Sequence, residues 1–121
     1  MSISPDFSNH VADLLSTLGH VRIKKMFGGG GVYCDDVIIA IIVDDVLYLK
    51  VDDINRPDFK AAELEPFTYE ARGKRTSMSY YRAPEEALDS AGIMQSWARG
   101  ALAAALRARK TAKPKRAKPP K

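Results

Sequence analysis

Three aspartate pairs, Asp35-Asp36, Asp44-Asp45 and Asp52-Asp53, interrupt a β-rich stretch at nearly equal intervals. Between them lie "VIIAIIV" and "VLYLKV", each long enough for one strand. Aspartate is a good turn residue because its side chain bonds backbone amides nearby. Parallel neighbours need a crossover of a dozen or more residues, and no such length is available here. The segments around the pairs must therefore form an antiparallel meander. In it, the first and third pairs fall at one end of the sheet and the middle pair at the other. The uninterrupted branched residues of "VIIAIIV" predict a strand buried on both faces.

The rest of the chain fits around this meander. Ser4-Pro5 reads as an N-cap followed by proline at the first helical position. Phe7, Val11, Leu14, Leu15 and Leu18 then recur at helical spacing, and Gly19 is placed to end the helix in a left-handed cap. "RIKKMF" and "VYC" are strands on either side of Gly28, Gly29, Gly30 and Gly31, which read as a turn with at least one glycine at positive φ. "NRPDFKAAEL" is a short helix stopped by Pro66, and "PFTYEA" and "TSMSYYRA" form a hairpin around "RGKR". Pro84 opens a helical segment. A longer helix follows Gly92, with an apolar stripe of Ile93, Trp97, Ala101 and Ala104/Ala105. The fold class is α+β: a mostly antiparallel sheet of about six strands, helices at both termini and one between strands.

Hydrophobic residues make up 45% of the 121-residue chain, enough for one core without staples. The longest apolar run is far short of the roughly 20 residues of a membrane helix. A single cysteine, Cys34, and no secretion signal point to the cytoplasm. The net charge of +4 joins two opposite bodies. "RARKTAKPKRAKPPK", residues 107–121, holds eight of the nineteen Lys/Arg and no acid, leaving eleven against fifteen acidic residues in positions 1–106, a net of −4. We read 1–106 as the domain and 107–121 as a basic tail, helical for one more turn and then disordered.

Most chemical motifs fail on inspection. A P-loop needs a lysine and a hydroxyl after its glycines, whereas Val32 and Tyr33 follow Gly31. A dinucleotide loop opens onto a helix, and this run opens onto a strand. The aspartate pairs could ligate a hard cation, but no EF-hand spacing supports that over a turn role. Cys34 reads as a small core hydrophobe rather than the nucleophile of a Cys–His pair with His10 or His20. Ser77 and Ser79 lack a nucleophile elbow.

Two features suggest contact with nucleic acid or a partner. Arg72, Lys74 and Arg75 form a basic hairpin tip near Tyr80 and Tyr81, and arginine beside aromatics suits phosphates and bases. The tail carries Arg107, Arg109, Lys110, Lys113, Lys115, Arg116, Lys118 and Lys121. If all eight engaged phosphates, the log affinity would fall with log salt at a slope near −7. A merely solubilising tail is the equal alternative.

"KKMFGGGGVYCDD", "LYLKVDD", "PFTYEARGKRTSMSYYRAPEEALD" and "WARGALAAALRARK" together resemble the N-terminal domain of the TfoX/Sxy proteins, from about Val21 to Lys110. The resemblance implies a secretion-chaperone-like α+β fold and no catalytic residues. It also implies kinship with competence regulators that act beside a cyclic-AMP-responsive DNA-binding activator. Those regulators continue into a second helical domain where this chain has its basic tail, so it reads as a stand-alone copy. The expectation is a non-enzymatic, cytoplasmic regulatory domain without cofactor, metal or membrane. It would contact an unidentified protein partner, possible as a homodimer, with non-specific nucleic-acid affinity from the tail. The rivals are a small enzyme or ligand-binding protein using Cys34 or the aspartate pairs, and a chaperone-like dimeric adaptor.

Overall fold

A computed structural model describes residues 5–26, 29–71 and 73–117, except for the side chains at 26, 69–71, 74–78 and 109–117. Its meander is built on the aspartate loops. Strands β1 (Val21–Met26), β2 (Gly29–Cys34), β3 (Val37–Val43) and β4 (Val46–Lys50) pair in sequence, each antiparallel to the next. Cys34 faces Val37 and Val43 faces Val46, leaving two residues in each loop. Asp35 and Asp36 have φ of 51° and 69°, and Asp44 and Asp45 have 53° and 59°. Positive φ at both central residues is the type I′ geometry, whose twist matches that of the flanking strands. Aspartate tolerates this region better than most side chains. The third pair, Asp52-Asp53, instead leads into helix α2 (Arg56–Ala61).

Strand β3 departs from the sequence expectation. Val32 faces Ala40 while its neighbour Tyr33 faces Ile38, so Ile39 is an extra, bulged residue. The bulge resets the alternation. Val37 is buried before it, Ile39 at it, and Ala40 and Ile42 after it, while Ile38, Ile41 and Val43 remain half-buried. The strand has one core face, not two.

The glycine run is also corrected. Gly29, Gly30 and Gly31 lie inside β2, paired with Met26, Lys25 and Lys24, and Gly28 lies outside the described residues. Among the described residues the glycine at positive φ is Gly73, in a different hairpin. What demands glycine at position 29 is proximity: a Cβ there would sit 2.2 Å from the Ile42 carbonyl oxygen. Gly19 is likewise no left-handed cap. Its missing Cβ leaves room for Cys34 Sγ and the Asp35 carboxylate, which would stand 2.9 and 3.0 Å away.

Strands β5 (Pro66–Ala71) and β6 (Lys74–Arg82) complete a six-stranded sheet of order β1-β2-β3-β4-β6-β5. Ala71 faces Lys74, so Lys74 and Arg75 belong to β6 rather than to a "RGKR" turn. Helix α2 stops well before Pro66. The Leu64 N–H bonds the Phe59 carbonyl and the Glu63 N–H bonds that of Lys60, with Glu63 at φ 59°. This is a Schellman closure with glutamate at the left-handed position.

Helix α1 (Pro5–Leu14), α2 and α3 (Ala91–Ala117), with a 3-10 turn at Glu85–Asp89, all pack on the same sheet face. Ser90 caps α3, its hydroxyl accepting from the Ile93 N–H. The buried residues of α3 are Met94, Ala98, Ala101, Ala104 and Ala105, whereas Ile93, expected inside, is 40% exposed. Those alanines let the helix lie close to Ile39, Ile42, Leu47 and Leu49, which form the core with Val11, Leu15 and Val51. The backbone of α3 is helical to Ala117, so residues 111–117 are not the irregular chain the prolines suggest. Alanine, arginine and lysine are strong helix formers and carry it onward.

Candidate interaction surfaces

At the end of β4 a polar network ties three elements together. Asn55, a buried polar residue, donates through Nδ2 to the Lys50 carbonyl (3.1 Å) and accepts the Asp52 N–H (2.7 Å). The Asp52 carboxylate accepts the N–H groups of Ile54 and Asn55 in return. Arg107 then grips that carboxylate with both Nε (2.5 Å) and Nη2 (2.8 Å). The guanidinium is the main cause that holds the Asp52 carboxyl down to about 2; burial opposes it, and the two backbone amides assist. Arg107 is thus the last clasp of the domain, although the sequence places it first in the tail.

Beside this network, α2 and α3 enclose a groove of about 490 Å³ lined by Asn55, Asp58, Phe59, Ser96, Trp97 and Gly100, among others. Phe59 and Trp97 meet edge to face at 4.8 Å between centroids, and Phe59 also packs on Tyr81. Asn55 is committed to its backbone bonds, so the groove offers shape and an aromatic wall more than reactive groups.

The candidate catalytic residues are dispersed. Cys34 is fully buried, and burial, then the charge of Asp35, pushes its thiol pKa up, which disfavours the thiolate a nucleophile needs. His10 contacts the Leu88 carbonyl, and the Asp35 carboxylate accepts the His20 backbone N–H. Asp36 pairs with Arg22, and Asp53 with Arg56. Among the described residues, no three His, Cys, Asp or Glu side chains converge as metal ligands would. No described helix is long and apolar enough to cross a membrane.

The contact candidates separate in the same way. Arg72, Gly28, Lys118 and Lys121 lie outside the described residues. So do the side chains of Lys74, Arg75, Arg109, Lys110, Lys113, Lys115 and Arg116, whose backbones belong to β6 and α3. Tyr80 and Tyr81 point to opposite faces. Tyr81 joins the core against Phe59, which removes it from any contact surface. Tyr80 points outward, covered by Lys50, whose Nζ stands 5.1 Å from its ring centroid.

That outward face was missed from sequence. The register places Arg22, Tyr33 and Ile38 in one row across it, and past the bulge Lys50 pairs with Tyr80 on the same face. Lys24, Gly31, Ile41, Tyr48 and Arg82 form the next row. Arg22 stands over the Tyr33 ring at 5.9 Å, and Tyr48 meets Phe67 edge-on at 4.9 Å. Burial, then the nearby Tyr33, raises the Tyr80 hydroxyl pKa. The alternation of Arg22 with Lys24 and of Tyr48 with Lys50 is visible in the sequence, but only pairing shows that these residues share one surface.

The molecule is therefore an α+β domain with helices on one sheet face and its reactive groups held in turns, caps and core. Residues 13–105 match the family described as the TfoX N-terminal domain, and the chain belongs to that family. It is also similar to Protein Sxy of Escherichia coli (strain K12), 27% identical over 73 residues that cover 60% of this chain and 35% of that protein. The chain spans about a third of that relative's length.

Proposed function

We propose that this domain regulates transcription by holding a protein partner rather than by catalysing a reaction, with the basic tail adding sequence-blind affinity for nucleic acid. The observation that carries this reading is the fate of the chemically capable side chains. Cys34 is sealed in the core, the first two aspartate pairs form hairpin loops, and Asp52 is bound by Arg107 and its own cap. Family kinship with competence regulators supplies the regulatory context. The tail's contribution belongs to residues beyond Arg107, since Arg107 is already paired.

Crosslinking and purification from the native host, together with transcript profiling of a strain lacking the gene, test the proposal. A stoichiometric protein partner and a defined set of altered transcripts are expected. Unchanged transcripts and no stoichiometric partner would overturn it.

A further inference from the structure

We infer that the helix-free face of the sheet binds single-stranded nucleic acid, with Tyr33 and Tyr48 as stacking surfaces and Arg22, Lys24, Lys50 and Arg82 as phosphate contacts. This goes beyond the partner-binding reading and does not depend on it.

The inference starts from charge. Residues 1–106 carry a net charge of −4, so cations gathered on one face of this body stand out against their background. Four of the eleven Lys/Arg in that span, Arg22, Lys24, Lys50 and Arg82, lie on this face. The acidic residues of the helices and the 3-10 turn, Asp6, Asp13, Asp58, Glu85, Glu86 and Asp89, belong to the layer on the opposite side. Asp36 sits at the margin of the cationic face, where it pairs with Arg22.

The second observation is what stands between the cations. Charge stands beside ring or aliphatic surface: Arg22 beside Tyr33, Lys50 beside Tyr80, and Lys24 and Arg82 at the two ends of a row that holds Gly31, Ile41 and Tyr48 between them. Surfaces that hold single strands combine positive charge tracking the backbone with aromatic rings on which bases stack. Tyr33 and Tyr48 are half-buried, while Lys24 and Arg82 are exposed. The row from Lys24 to Arg82 crosses four inter-strand gaps, about 19 Å, which is room for a few nucleotides. A duplex keeps its bases stacked inside and could use only the cations.

Charge also selects among occupants. A second copy docked face to face would bring four cations against four, a like-charge juxtaposition that disfavours association. A polyanion with flat apolar faces complements both components of the surface.

The test uses the full chain. Fluorescence anisotropy with labelled oligothymidine and oligouridine of about 12 nucleotides, and with a DNA duplex of matched charge, separates DNA, RNA and duplex binding. Amide and side-chain NMR shifts locate the contact, and the Trp97 indole on the other face serves as the silent reference. Single strands are expected to shift residues of both rows and leave Trp97 unmoved. Lys24→Glu with Arg82→Glu, and separately Tyr33→Ser, should weaken single-strand binding by about tenfold or more, with circular dichroism confirming the fold. Neutralising Lys113, Lys115 and Arg116 should weaken single strands and duplex alike. Wild-type affinity in both face variants would overturn the inference. So would shifts confined to the tail, preference for the duplex, or a dimer in light scattering whose interface covers the face. Binding of polyglutamate to the rows with no response to either oligonucleotide would also overturn it and mark a protein-docking surface instead.

Discussion

Glu63 and Gly29 occupy backbone sites with opposite needs. Glu63 closes α2 at φ 59°, where a side chain is strained and glycine is not. Glu63→Gly should therefore raise stability by about 0.5–1 kcal/mol, read as a higher urea midpoint with an unchanged slope. Gly29→Ala should do the reverse, costing about 3 kcal/mol or more, because the group it meets is a main-chain oxygen of the neighbouring strand. An alanine variant that melts with the wild type would show that β2 and β3 separate more readily than the geometry implies. Residue-level legibility followed the range of the interaction. The aspartate loops were readable because a turn is local. The glycine run misled because the contact that requires Gly29 comes from residue 42, which only pairing brings near.

Between elements, the tie of α3 to the β4–α2 junction is the most testable feature. The Asp52 carboxyl titrates at about 2 rather than its ordinary 3.8. A carboxylate depressed on folding contributes its stability in full above about pH 4 and loses it as pH falls toward 2. Asp52→Ala should cost about 1–2 kcal/mol near neutrality, the cost of losing a side-chain cap with its partner. The gap between wild type and variant should close between pH 4 and pH 2 in thermal melts, and a constant gap would assign the effect to packing. In a double-mutant cycle, Arg107→Ala should couple favourably to Asp52→Ala, while zero coupling would make the pair incidental. The element order was legible from periodicity. The bulge at Ile39 and the Asp52–Arg107 clasp were not, since the first depends on cross-strand register and the second joins residues 55 apart.

Across the whole molecule, the layering decides what can be used. With α1, α2 and α3 on one side, Cys34, Met94 and Tyr81 are enclosed, and the other sheet face is left to Tyr33, Ile41, Tyr48 and their cations. The sequence suggested that any function would be contact rather than chemistry, yet it directed attention to the hairpin tip and tail. The sheet order, with β6 inserted between β4 and β5, was not readable and is what aligns Arg82 with Tyr48 and Tyr80 with Lys50. The central claim is that this domain acts through its surface and not through its reactive groups. Transcript profiling in the native host, with the gene deleted and then restored as variants, tests it most directly. Cys34→Ala should restore the wild-type profile, and Lys24→Glu with Arg82→Glu should fail to do so at equal protein abundance. Restoration by the face variant, with failure of Cys34→Ala, would contradict the account.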